Sequence, residues 1–429
     1  MLSRDQIISA IIALVGELKE EKPNKVRYAG PCFGKEEYQA GISALLSGWL
    51  CGGQYTLKSE QKLREISNRE YSLLVNSGSS ANLVGVSALK EQYFQDGDKI
   101  LTLSCGFPTT VNPITQNNLV PVFVDIDNKL GLDPNVLESC IKEKGISGVF
   151  FAHTLGFCGD VDSILDICRK YDVVCAFDCC DAYTTKYKNR PLTSYGKIAT
   201  YSFYPAHHLT AGGHGGAIVC NDQSLHQTMR GISRWGRFCS SSQCCIRSLP
   251  NGRDLFCPTM CYTNNPNIPE DYDVNYRFEW LGYNLQINEV QAAILSEQLN
   301  RIDDFDKIRV RNYNILLNWF KENWPECGIY DLEDGISPFS FFFTLPEKTQ
   351  RKHLVHHLKL DKIETRLLFG GKLQNHSAYK KCKFEEFGGF ENSEKIMNRG
   401  LMLGVSQILD EEDIGRICES LGKFIECVA

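Results

Sequence analysis

Four groups of residues in this 429-residue chain have types and spacings that could do chemistry. The run Asn76-Ser77-Gly78-Ser79-Ser80-Ala81-Asn82 lies between an apolar stretch and a segment with helical spacing. Small hydroxyl residues at a helix start offer backbone N–H groups, hydroxyl donors and the positive end of the helix dipole, which suits a phosphate. A serine helix cap accounts for the same residues without any ligand. Asp178 ends the apolar run Val173–Phe177. A carboxylate there needs a cationic or hydrogen-bonding partner, or its pKa rises. A protonated pyridine nitrogen would be such a partner; capping the following turn is the alternative.

The third group is Tyr201-Ser202-Phe203-Tyr204-Pro205-Ala206-His207-His208, followed by Gly212-Gly213-His214-Gly215-Gly216. Adjacent side chains in extended chain point to opposite faces, so at most one of His207 and His208 faces a given pocket. A metal site on His207, His208 and His214 matches no standard ligand spacing. The fourth group is cysteine: Cys179–Cys180, and Cys239, Cys244, Cys245, Cys257 and Cys261. Five thiols between 239 and 261 exceed what packing requires, and soft thiolates suit an iron–sulfur cluster or zinc. Asp125-Ile126-Asp127 matches the Asp-x-Asp metal motif of nucleotide-sugar glycosyltransferases, although an Asp at a strand end is also a common turn former.

These residues need a scaffold. Short apolar runs predict strands at Tyr71–Val75, Lys99–Leu103, Val120–Val124, Gly148–Ala152, Val173–Phe177, Ile198–Phe203 and Gly216–Cys220. Helical spacing falls between the earlier ones, at Ser80–Glu91, Thr109–Gln116, Asn135–Lys144 and Ser163–Tyr171. Alternation of unbroken apolar strands with helices predicts an α/β protein with a large, mostly parallel sheet covered on both faces. Ligands bind such sheets at the carboxyl ends of the strands. A long helix at Asn288–Arg301 leads into a smaller C-terminal α+β domain. The expected domains are 1–300, with an amphipathic N-terminal helix in 1–25 and a Cys-rich insertion at 239–272, and 301–429.

Composition narrows the class. Apolar residues are 43% and charged residues 23%, values of an ordinary globular chain. A net charge of −6 disfavours nucleic acid or an anionic membrane as the main partner. Asp5, Glu17, Glu20 and Glu21 interrupt the apolar N-terminus, so neither a signal peptide nor a membrane span is expected, and the chain reads as soluble and cytoplasmic. Most of the 19 cysteines are then expected as free thiols.

Together the motifs resemble the fold-type I pyridoxal phosphate (PLP) family of sugar aminotransferases and dehydratases that act on nucleotide-linked 4-keto sugars. The resemblance runs from about residue 27 to the C-terminus. It includes Gly48-Trp49-Leu50, Gly106-Phe107-Pro108-Thr109-Thr110, Ala152-His153-Thr154-Leu155-Gly156, Asp178-Cys179-Cys180-Asp181-Ala182, Gly282-Tyr283-Asn284-Leu285 and Thr365-Arg366-Leu367-Leu368-Phe369. Most aminotransferases of the family carry a PLP-binding lysine where this chain has His207. That version resembles the CDP-4-keto-6-deoxy-D-glucose-3-dehydrase-like branch.

The resemblance implies that Asp178 pairs with the pyridine nitrogen, Phe107 stacks on the ring, and Ser79, Ser80 and Ser202 hold the phosphate. It implies that Asn284 comes from the partner subunit of a homodimer, that His207 is the catalytic base, and that Arg366 reaches toward the sugar nucleotide. Without the lysine, the useful cofactor is pyridoxamine phosphate (PMP). An unperturbed imidazole pKa near 6.5 would suit a base at neutral pH. C3 dehydration of a 4-keto-6-deoxy sugar, in 3,6-dideoxyhexose synthesis for lipopolysaccharide O-antigen, is the implied activity. The branch also implies a [2Fe–2S] cluster on Cys180, Cys239, Cys257 and Cys261, served by an NADH-dependent flavin/iron–sulfur reductase. Here Ser241 replaces the second thiol of the branch's Cys-x-Cys run. The alternative is a cluster-free dehydratase resembling GDP-4-keto-6-deoxymannose-3-dehydratase, using glutamate. A non-catalytic PLP-fold regulator and the metal-dependent glycosyltransferase are remoter readings.

Overall fold

The computed structural model describes residues 4–17, 24–237, 267–269, 272 and 276–428. Cys239, Cys244, Cys245, Cys257 and Cys261 lie outside the described residues. The chain opens with helices α1 (Arg4–Glu17), α2 (Lys35–Ser47) and α3 (Gln54–Ser67). Then follow β1 (Tyr71–Val75), α4 (Gly78–Tyr93), β2 (Lys99–Leu103), α5 (Pro108–Gln116), β3 (Val120–Val124), α6 (Pro134–Lys144), β4 (Gly148–Ala152), α7 (Val161–Lys170) and β5 (Val174–Asp178). A hairpin of β6 (Lys186–Tyr187) and β7 (Arg190–Pro191) precedes β8 (Ile198–Ser202), β9 (Gly216–Cys220) and α8 (Gln223–Ile232).

After the Cys-rich segment come α9 (Glu289–Gln298), α10 (Ile302–Asn323), β10 (Phe341–Thr344), α11 (Arg351–Leu360), β11 (Thr365–Arg366), β12 (Glu385–Glu386), α12 (Glu391–Arg399), β13 (Gly400–Leu403) and α13 (Glu411–Val428).

Eight strands form one sheet in the order β1-β9-β8-β5-β4-β2-β3-β12. The pairs from β8 across to β12 are parallel, and β9 alone runs against both its neighbours. Successive residues of one strand go to opposite cores: Leu74 and Phe151 join one apolar cluster, Leu73 and Phe150 the other. This is the period-two consequence of a pleated strand buried on both faces. An α/β architecture with a large, mostly parallel sheet is what the strand pattern predicts, and it is the sheet that the fold-type I resemblance implies.

The C-terminal sheet has three strands, ordered β10-β13-β11. The backbone pairs between the two expected regions at several places. Val26 N–H donates to Lys362 O and Glu364 N–H to Val26 O, each at 3.0 Å, which ties the N-terminal segment beside β11. β12 leaves the C-terminal region to pair with β3 at the edge of the large sheet. The expected helix Asn288–Arg301 is α9, which stops at Gln298; Arg301 lies in the turn before α10 and donates from its guanidinium to Cys32 O and Glu37 Oε1, both at 3.0 Å. No helix among the described residues is long and apolar enough to cross a membrane.

The candidate active site at the carboxyl ends of the strands

Four loops that leave the carboxyl ends of β1, β2, β5 and β8 meet in one chamber. At the first, Ser77 caps α4 by accepting from Ser80 N–H at 3.1 Å. Ser80 Oγ donates to Asn76 Oδ1 at 2.6 Å, and Ser79 Oγ donates to Thr109 Oγ1 at 3.1 Å on α5. Gly78 is where these loops touch most closely. A Cβ there would stand 2.5 Å from Ser202 Cβ and 3.1 Å from Cys180 Sγ. The serine run, Ser202 and Cys180 therefore share one small cup at a helix N-terminus, with donors of the kind a phosphate needs.

Asp178 ends β5 and is buried. Its Oδ2 accepts from Asn82 Nδ2 at 2.7 Å and from Thr110 Oγ1 at 2.8 Å. Its Oδ1 accepts from Cys180 N–H at 3.0 Å, so the turn-cap reading is also realised. An ionised carboxylate has about four acceptor positions, and three neutral donors leave room for a charged N–H.

The β8–β9 loop brings in His207. Its Nδ1 lies 3.0 Å from Cys180 O and 3.9 Å from Asp181 Oδ1. A carbonyl only accepts, so Nδ1 carries the proton and Nε2 is left with its lone pair. The ring packs on Phe339 at 5.0 Å. Burial drives the pKa of His207 down to about 4; the Cys180 carbonyl and Asp178 oppose this, and the Arg309 charge adds to it. The ordinary value near 6.5 expected from sequence does not hold, and the imidazole is a free base throughout the neutral range. Burial and Asp178 push Asp181 the other way, up to about 7. His208 points elsewhere, with Nε2 at 3.3 Å from Ser337 O, and His214 stacks on Tyr204. The three histidines make no common site.

Two residues of the C-terminal region fix the backbone of this loop. Arg309 is fully buried on α10 and donates to His207 O, Pro338 O, Phe339 O and Gln407 Oε1. Gln407 in turn donates to His208 O at 3.0 Å. Phe107, half exposed, meets Phe369 edge-on at 5.7 Å, and Phe369 and Phe339 line the gap toward His207. Arg366 is exposed on β11, with its guanidinium 5.5 Å from the Tyr28 ring centre. Asn284 is exposed on a segment bridged to Arg234 and faces away from its own chain's core.

The Asp-x-Asp reading is corrected by the geometry. Asp125 accepts from Asn392 N–H, Ser393 N–H and Ser393 Oγ, capping α12, and Asp127 accepts from Lys129 and Gly131 N–H within its own turn. Asp125 is engaged through both oxygens and Asp127 through Oδ1, each by backbone N–H groups, so the pair acts as helix cap and turn former. No group of three or more His, Cys, Asp or Glu among the described residues is placed to hold a metal ion. Burial, with Asp178 and Asp181 close by, pushes the Cys180 thiol well above its ordinary pKa.

Residues 31–422 match the model of the DegT/DnrJ/EryC1/StrS aminotransferase family. The chain belongs to this family. Among its relatives, the chain is 33% identical to the lipopolysaccharide biosynthesis protein RfbH of Salmonella typhimurium, over 98% of both chains. It is 30% identical to a dTDP-4-dehydro-2,6-dideoxy-D-glucose 3-dehydratase of Saccharopolyspora spinosa, over 93% of this chain and 86% of that one. The solved structure of a GDP-4-keto-6-deoxymannose-3-dehydratase with a trapped PLP–glutamate geminal diamine superposes with a TM-score of 0.81 at 25% identity. It covers 92% of this chain and all of that one.

The structure brings the expected Asp178, His207 and serine residues together, and it adds supports to which the sequence assigns no role. Asn82 and Thr110 are buried polar residues inside the motifs, whereas Arg309 and Gln407 lie far from them in sequence. The place of Asn82 one turn inside α4 is the signal available for it. Arg309 and Gln407 left no local signal.

Proposed function

We propose that this chain is a PMP-dependent dehydratase that removes the C3 hydroxyl of a nucleotide-linked 4-keto-6-deoxy sugar. The observation that carries the reading is His207: the side chain entering the chamber from the β8–β9 loop is a partly buried imidazole whose Nδ1 is engaged by the Cys180 carbonyl, where most of the family uses lysine. An imidazole forms no stable Schiff base with PLP, so the cofactor is held without a covalent link.

Asp178 would hold the pyridine nitrogen, Phe107 the ring face, and Ser79, Ser80 and Ser202 the phosphate. Asn284 of the partner subunit would complete the phosphate end. The partner is a second copy, seated on the apolar apron of Trp235, Tyr276, Phe278 and Leu281, the last 99% exposed. Arg366 would meet the sugar nucleotide. When bound, PMP supplies an amine for the 4-ketone and a ring that takes up electrons. His207 Nε2 accepts a proton and returns it to the departing hydroxyl, which leaves as water. The Phe107, Phe339 and Phe369 side chains keep bulk water from the imidazole.

Glutamate is the amino donor in this reading, which the trapped PLP–glutamate geminal diamine of the solved neighbour supports. An iron–sulfur cluster on Cys180, Cys239, Cys257 and Cys261, and a reductase to serve it, are not part of this reading, in which Cys180 belongs to the phosphate cup. Lipopolysaccharide sugar synthesis is the setting in this reading, which the name of the Salmonella typhimurium relative supports, and the cytoplasm is its place.

The test is incubation of the PMP-loaded protein with CDP-, GDP- and dTDP-linked 4-keto-6-deoxy sugars, with and without glutamate. Loss of one water from one of these, with glutamate needed for repeated turnover, is expected. Absence of water loss from all three would overturn the reading, and turnover that needs iron and a reductase instead of glutamate would restore the cluster.

A further inference from the structure

The Asp181 carboxyl has no task in the arrangement described so far. It is 8% exposed and lies three residues beyond Asp178. Its Oδ1 is 3.9 Å from His207 Nδ1, and its Oδ2 accepts from Leu155 N–H at 3.3 Å. That N–H is delivered by a backbone a leucine rarely takes: φ is 57° at Leu155, and 97° at the following Gly156. The turn is locked from the C-terminal region. Phe339 N–H donates to Leu155 O at 3.0 Å, and a Cβ on Gly156 would fall 2.3 Å from Ser337 O. Non-glycine residues hold such conformations where the surroundings over-determine them, and they cluster at functional sites.

We propose that Asp181 is the positioning residue of His207, holding its Nδ1–H side jointly with the Cys180 carbonyl and offsetting the charge that forms when Nε2 accepts a proton. The inference rests on the dehydratase reading for its chemistry and on this chamber alone for its geometry.

The charge balance around the ring gives the reason. The groups facing His207 are Asp178 and Asp181 from the β5 loop, Cys180 O from the same loop, Arg309 from α10, and the neutral His208 beside it. Arg309 donates to the His207 carbonyl at 3.1 Å, so a cation already stands behind the base. An imidazolium formed there without a nearby anion would be a second buried positive charge. Asp178 is held by Asn82, Thr110 and the Cys180 N–H, and in the proposed site it has the cofactor nitrogen to serve. Asp181, which burial and Asp178 push up to about 7, is the carboxyl left to ionise as the imidazolium forms. An acid that orients a base from its far nitrogen and steadies its cationic form is the logic of catalytic triads, met here in another reaction.

The experiment compares wild type, Asp181→Asn and Asp181→Ala. In the cofactor-free protein at one neutral pH, the ring ¹⁵N signals of His207, assigned by their loss in His207→Asn, report which nitrogen carries the proton. Wild type is expected as the Nδ1–H form, with the Nε2–H fraction rising at least fivefold in Asp181→Ala. In the loaded enzyme, Asp181→Asn should lower kcat at least tenfold with less than a twofold change in nucleotide-sugar KM and in PMP affinity. Unchanged ¹⁵N signals together with unchanged kcat would overturn the proposal. So would parallel loss of PMP affinity and kcat, the mark of a structural or cofactor-holding role. If wild type removes no water from any sugar but the ¹⁵N signals respond as stated, the dehydratase reading fails and the positioning role stands.

Discussion

The Asn82 amide donates to Asp178 Oδ2 at 2.7 Å while its own oxygen accepts from Thr200 Oγ1 at 2.6 Å. Three elements, α4, β5 and β8, are thereby tied at one carboxylate, and the orientation of Asp178 is fixed before any ligand arrives. Asp178→Asn keeps the shape but sets one amide against another and removes the negative charge. Turnover is expected to fall by about a hundredfold or more, the scale of a lost electrostatic contact in an active site. PMP retained through its phosphate should still be detected by absorbance. Unchanged turnover would remove Asp178 from the site.

His207→Lys tests the position directly. The β8–β9 loop is held by Arg309 and Gln407 through backbone carbonyls, so the side chain can change without releasing the loop. A lysine there should become covalently attached to PLP on borohydride reduction, read as a mass shift on the peptide that contains residue 207. If PLP is trapped elsewhere or nowhere, the placement of this residue is wrong.

Much of this site was legible because its parts announce themselves locally. An acid at the end of an apolar strand, hydroxyls at a helix start and an imidazole in a glycine-rich loop each have a short sequence signature. Strand limits such as Lys99–Leu103 and Val120–Val124 were read without error because fully buried strands leave unbroken apolar runs. What was not legible depends on tertiary distance. The fall in the His207 pKa is a matter of burial, the Arg309 contact spans 102 residues, and α9 stops short of Arg301, whose guanidinium is drawn to Glu37 on α2.

Gly78→Ala should empty the phosphate cup while leaving the sheet intact. The added Cβ meets Ser202 Cβ and Oγ and Cys180 Sγ, all within 3.1 Å, so Ser202 must move. Overpacking of this kind costs about 1–3 kcal/mol. PMP affinity should drop at least tenfold, with a far-ultraviolet circular dichroism spectrum like that of wild type. Undiminished affinity would place the phosphate elsewhere.

The last prediction concerns acid stability. His153 is buried between Phe151 and Phe177, and neither ring nitrogen meets a protein hydrogen-bond partner. Burial lowers its pKa to about 3, and burial with nearby arginines lowers that of His226 to about 3 as well. A histidine that prefers to be neutral when folded binds its proton more readily in the unfolded chain. Stability is therefore fully present above the unfolded pKa near 6.5 and is lost as the pH falls from there toward the folded value. Each such histidine contributes a slope of about 1.4 kcal/mol per pH unit inside that window. His153→Phe keeps the aromatic packing and removes one proton site, so the variant should gain about 2 kcal/mol over wild type on going from pH 7.5 to pH 5. Urea denaturation at the two pH values measures it. An equal loss of stability in both proteins would show that His153 is not held neutral in the fold.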